Sequence, residues 1–176
     1  MKKFALFTAL VFAVSVFAAA QDDKAKRPSP PATAECKFSD GKSVKVDYSS
    51  PRAKGRKIFG GLVSYGQIWR TGANEATTFA TDADVVVGGQ NVPSGSYTIF
   101  TVPEADKWTL VVSKKTGEWG TDYPGPSEDL VRAPMNVSKT AGPVENFTIG
   151  FFQSSGKCTL HAEWENTRAT VDITRM

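Results

Sequence analysis

Ser43-Val44-Lys45-Val46-Asp47-Tyr48 decides the fold. On an extended chain Val44, Val46 and Tyr48 fall on one face, and Lys45 and Asp47 on the other. On a helix Val44 and Val46 would point to opposite sides, so the same letters would bury nothing. The period of two recurs along the chain. Trp108, Leu110 and Val112 alternate with Thr109, Val111 and Ser113. Val131, Ala133, Met135 and Val137 alternate with Arg132, Asn136 and Ser138. Phe147, Ile149 and Phe151 share a face, as do Leu160, Ala162 and Trp164 against His161, Glu163 and Glu165.

Turn chemistry separates these runs. Asp40-Gly41 joins the first two, Gly88-Gly89-Gln90-Asn91 follows Val85-Val86-Val87, and Pro93-Ser94-Gly95 and Pro103-Glu104-Ala105-Asp106 flank Tyr97 to Val102. Lys57 to Leu62 has room for one turn of helix. The pattern predicts an all-β protein of about nine or ten short strands, an antiparallel β-sandwich or jelly-roll-like barrel. Pro51 to Gly61 and Thr116 to Glu128 do not alternate. Aromatics such as Trp119 and Tyr123 make them packed loops rather than slack ones.

Outside the strand region the N-terminus reads as an address. Met1-Lys2-Lys3 is basic, Phe4 to Phe17 carries no charge, and Ala18-Ala19-Ala20 closes the run with small residues. That order is a secretory signal peptide, residues 1–20, cleaved before Gln21. An uncleaved anchor is the alternative, but a span needs roughly 20 apolar residues. The expected location is exported, periplasmic or secreted, with no stable membrane insertion after cleavage. Gln21 to Thr33 is charged and then Pro-rich, and is expected to be a disordered linker ahead of one β domain over 34–176. The whole chain carries a formal +3, two charges of which belong to Lys2 and Lys3. A mature chain near neutrality with one short basic run, Arg52 to Lys57, predicts no nucleic-acid partner.

The residue inventory excludes several chemistries. One histidine, His161, rules out a multi-histidine metal site, and no metal or cofactor is expected. His161 is either a general base or lone ligand, or simply a strand residue. No nucleophile elbow, P-loop, dinucleotide fingerprint or EF-hand loop occurs. Cys36 and Cys158 are the only cysteines. Export and an even count point to a structural disulfide, with two buried thiols as the alternative.

The densest polar constellation is Trp69-Arg70-Thr71-Gly72-Ala73-Asn74-Glu75. Arg70 offers a planar fork to a carboxylate or phosphate. Glu75 could instead take that fork internally across the Gly72 turn. The expectation is that Arg70, Asn74 and Glu75 converge over Trp69, with Tyr97 or Trp108 nearby. That makes Trp69, Arg70, Thr71, Asn74, Glu75, Tyr97 and Trp108 the candidate ligand-binding residues; no catalytic residue is assigned.

The same stretch carries a resemblance. Gly55 to Val63, Tyr65-Gly66 and Trp69 to Thr77 resemble the signature of a bacterial exported family known only as domain of unknown function 2911. Val92 to Tyr97 and Trp108 are similar to its Pro-x-Gly-x-Tyr hairpin and the tryptophan strand that follows. Ser50 and Ser64 depart from the Arg and Pro that the resemblance implies there. The resemblance implies an exported β domain and no established activity. Three functions compete. The first is a non-catalytic module binding a small polar or carbohydrate ligand. The second is a carboxylate-dependent hydrolase with Glu75 as one member, Glu118, Asp122 and Asp129 being loop candidates for the other. The third is a structural or partner-binding envelope protein.

Overall fold

The computed structural model describes residues 23–120 and 122–176. The expected signal peptide, 1–20, lies outside the described residues. The described chain forms one nine-stranded, wholly antiparallel sheet in the order β1-β2-β3-β6-β7-β8-β9-β4-β5. The strands are β1 Pro31–Lys37, β2 Ser43–Ser49, β3 Thr77–Thr81, β4 Val85–Val87, β5 Gln90–Val92, β6 Gly95–Pro103, β7 Lys107–Ser113, β8 Asp129–Ser154 and β9 Lys157–Arg175. The all-β antiparallel expectation holds, but no barrel closes, because β1 and β5 remain edges.

Alternation gives the core as the sequence predicts. Val44, Val46, Phe79, Ile99, Leu110, Leu160 and Trp164 are buried on the inner face. β6 and β7 bury both faces: Phe100, Val111 and Ser113, which alternation assigns outward, are also buried. Tyr123, from the loop that follows β7, covers that outer side, set edge-on against Phe100 at 5.3 Å. Runs expected as separate strands at 130–138 and 147–152 are one bent strand, β8, whose pairing with β9 shifts register around Lys139–Thr148. On β9 the buried phase passes from even residues, ending at Trp164, to odd ones, starting at Ala169. Glu165, at φ 55°, inserts the odd residue, as a bulge does.

The bend brings the late strands over the early ones. Tyr48 Oη donates to the Ile149 carbonyl, Ser50 Oγ to the Phe147 carbonyl, and Gln153 Nε2 to the Lys37 carbonyl. Cys36 of β1 is disulfide-bonded to Cys158 of β9, with Cα atoms 6.1 Å apart.

Two local expectations change. Lys57 to Leu62 forms turns and no helix, the Leu62 and Val63 amides reaching back to the Lys57 and Ile58 carbonyls. The linker does not run to Thr33: β1 begins at Pro31, pairing with Ser49. Lys24–Lys26 forms a 3-10 turn, and the Pro30 carbonyl accepts from the Ser50 amide. Composition misled here because a short charged segment needs no apolar face when it docks through ion pairs and an edge strand. Among the described residues no helix is long and apolar enough to cross a membrane.

Candidate functional site

The chain between β2 and β3, residues 50–76, buries Ile58, Phe59, Val63 and Trp69 in the core. Trp69 is pinned to β6 by paired backbone hydrogen bonds with Thr101, at 2.8 and 2.9 Å. Its ring stacks on Trp164 with centroids 6.0 Å apart and meets Phe147 edge-on at 5.0 Å. Its indole N–H donates to the Gly72 carbonyl at 3.2 Å, which folds the next three residues back.

That fold is strained. Thr71 and Asn74 both sit at φ 56°, a region that costs a β-branched residue roughly 1–3 kcal/mol. Thr71 is held there by its hydroxyl against Thr101 Oγ1 at 3.1 Å and by its carbonyl, which accepts from Thr77 Oγ1 at 2.8 Å. Gly72 is needed for contact: a Cβ there would lie 3.0 Å from the Ser49 carbonyl oxygen. Strain that the surroundings over-determine collects where geometry serves function.

Arg70 and Glu75 leave this loop on different sides, so the expected convergence does not occur. Arg70 makes no hydrogen bond or ion pair with the described residues, and its Nε is buried without a partner. Burial pushes its pKa down. It lines a cleft of about 430 Å³ floored by Trp69 and Trp164 and shared with Arg56 and Gln67. Ser29 and Ser64 also border the cleft, and no acidic residue lines it. Arg56 is anchored to the Ala53 and Arg52 carbonyls through Nε and Nη2. Two guanidiniums with no carboxylate among the described lining residues give this cleft a positive character.

Glu75 turns instead to the segment before β1. Both its oxygens lie 3.0 Å from Arg27 Nη1, and Lys24 Nζ is 2.8 Å away. The hydrogen bond from Lys24, helped by Arg27, holds the Glu75 carboxyl at about 2. Beside it Asn74 Nδ2 donates to the Ser29 carbonyl at 3.0 Å. A second cleft, of about 350 Å³, opens here between Glu75, Lys24, Arg27, Asp47, Glu118 and Trp119. Arg70 and Glu75 thus border different clefts, and the cations that meet Glu75 come from the segment before β1.

The clasp has a testable strength. It is present above the unfolded value of about 4.5 and is lost as pH falls through the folded value of about 2. Exposed pairs contribute up to about 1 kcal/mol each. Glu75→Gln is therefore expected to quicken tryptic cleavage after Lys24 and Lys26 about five-fold at neutral pH. An unchanged cleavage rate would mean the segment is held by its backbone pairing alone.

The remaining candidates scatter. Thr71 faces inward. Tyr97 Oη donates to the Pro93 carbonyl at 3.0 Å, and Tyr97 lines neither cleft. Trp108 packs on Phe59 at 4.8 Å and borders a separate cavity near Tyr65 and Glu104. His161 stacks on Phe152 at 4.2 Å and closes over Gly150, while its neighbour Glu163 is taken by Arg168. Burial lowers the His161 pKa, and it lines neither cleft. Arg56, Gln67, Trp164, Arg27 and the Glu118–Trp119 pair were not among the ligand-binding candidates. Trp119 carried a signal, an aromatic in a run without alternation; Arg27 carried none. Among the described residues no cluster of three or more His, Cys, Asp or Glu side chains could hold a metal ion.

Neither the curated proteins nor the solved structures contain a match to this chain. A family model does match, over residues 29–173, a span that takes in the Arg70 cleft, the disulfide and all but the last strand residues, and leaves out Lys24 and Arg27 of the second cleft. The chain belongs to the family described as "Protein of unknown function (DUF2911)".

Proposed function

We propose that this is an exported, non-catalytic binding module that holds a small anionic ligand, a carboxylate or phosphate, in the Arg70 cleft. One observation carries the reading. A guanidinium with a buried Nε and no acceptor among the described residues is costly, and a ligand oxygen is the partner that would offset the cost. The strained Thr71 and the rigid Trp69–Trp164 floor hold it in place, which is the preorganisation a binding site needs. Isothermal titration with dicarboxylates, sugar acids and phosphate monoesters tests it. Arg70→Lys, which keeps the charge but loses the fork, is expected to weaken the best ligand about ten-fold or more. No saturable heat from any anion would defeat the reading.

The hydrolase reading has one observation behind it, since Glu75 and Glu118 border the same cleft. A general acid, however, needs a raised pKa, and Glu75 is held at about 2 by two cations. Export rests on the residue 1–20 pattern and agrees with the Cys36–Cys158 bridge, which persists in oxidising compartments. N-terminal sequencing of protein recovered outside the cytoplasm should start at Gln21. An intact Met1 chain in the membrane fraction would contradict export.

A further inference from the structure

Glu118 has one satisfied oxygen and one that is not. Its Oε2 accepts from Thr98 Oγ1 at 3.1 Å, which fixes the carboxylate. Its Oε1 is buried and has no donor among the described residues. The next residue, Trp119, is 55 % exposed, whereas Trp69, Trp108 and Trp164 are all buried. Both border the cleft on the far side of Gly72 from Arg70. The backbone holds this corner firmly: Glu75 bridges to Trp119, the Ala76 amide donates to the Glu118 carbonyl, and the Gly120 amide to the Asn74 carbonyl.

The charges of the cleft select among ligand classes. Glu75 is taken by Lys24 and Arg27. Asp47 is taken by Lys45 at 2.9 Å and by the Thr33 hydroxyl at 2.6 Å. Among the described residues Glu118 is thus the one lining carboxylate with an oxygen still without a donor. A divalent cation wants about six oxygens and would find one open carboxylate. An anion would meet that carboxylate head-on. A neutral polyol fits: a hydroxyl donates to Glu118 Oε1 while a C–H face lies on the indole face of Trp119 turned away from the Arg27 guanidinium, which sits 5.9 Å from the ring centroid. The volume, about 350 Å³, is that of a small-ligand site.

We infer that the Glu118–Trp119 cleft is a second binding site, for a neutral saccharide. It is separate from the anion cleft and does not depend on it. The test is an array of neutral oligosaccharides, followed by titration of the best binder into the full mature chain. Wild type is expected to bind saturably, and the sugar should shield Trp119, the one exposed indole, from acrylamide quenching. Trp119→Ala should weaken binding at least ten-fold, and Glu118→Ala should do likewise. Melting temperatures close to wild type would show that Trp119→Ala is folded, as its exposure predicts. Absence of any neutral binder, or full affinity retained in Trp119→Ala, would overturn the inference. No probe in that experiment is charged, so its outcome is read independently of Arg70.

Discussion

Replacing Cys36 and Cys158 together by alanine is expected to lower stability by about 5 kcal/mol. The bridge spans 122 residues of sequence, and the chain-entropy model gives about that figure for a loop of this length. Its position adds to the effect. β1 is an edge strand, hydrogen-bonded within the sheet to β2 alone, and the sheet does not close on itself. The bridge ties that edge to β9, at the place where the bent ribbon returns over the early strands. In a chain of this size 1 kcal/mol moves the melting temperature by roughly 2–4 °C, so the shift should be about 10–20 °C. Melts of the oxidised protein, the reduced protein and the double alanine variant measure it. A shift of only a degree or two would mean that strand pairing alone holds β1.

Trp164→Ala is expected to cost about 3–5 kcal/mol, the usual range for removing a fully buried tryptophan. Trp164 lies at the centre of an aromatic cluster. It stacks on Trp69, meets Phe147 at 5.7 Å and Phe59 at 6.4 Å, and donates its indole N–H to the Glu145 carbonyl at 3.1 Å. Truncation leaves a cavity under Arg70 and an acceptor without its donor. Urea unfolding should show a lower midpoint with an unchanged slope, since the fold itself survives. Anion binding should fall as well, because the floor that holds Trp69 flat would be gone. A midpoint within experimental scatter of wild type would contradict the packing described here.

The fold was legible where apolar alternation meets a single buried face. β2 is the clearest case: Val44, Val46 and Tyr48 are buried as the pattern demands. It was less legible on β6 and β7, where a distant loop covers the second face, and at Glu165, where a bulge reverses the phase without any residue that advertises it. The disulfide was expected from an even pair of cysteines behind an N-terminus that reads as an export signal. Of the candidate site, the sequence offered neighbours and not their arrangement: Trp69 and Arg70 border one cleft, while Glu75 borders another. The partner of Glu75 was not readable, because Lys24 and Arg27 reach it from a segment whose composition fits a tether. Glu118 was visible only as a loop carboxylate, since an unpaired oxygen is a property of packing and not of residue type.

The sequence alone allowed Arg70 to be a structural ion-pair member, whose loss would destabilise the fold. The structure reverses that expectation. With no partner to strand, Arg70→Met removes a desolvated charge and keeps the apolar stem, so it should leave the melting temperature unchanged or raise it. Function and stability are then opposed at one residue, as binding sites often require. The decisive measurement is a paired thermal melt of wild type and Arg70→Met, each with and without the best anion from the titration panel. The wild-type melting temperature is expected to rise with the anion, and the variant to be at least as stable and not to respond. A variant that melts several degrees lower yet still gains stability from the anion would show that Arg70 serves the fold and that the ligand binds elsewhere.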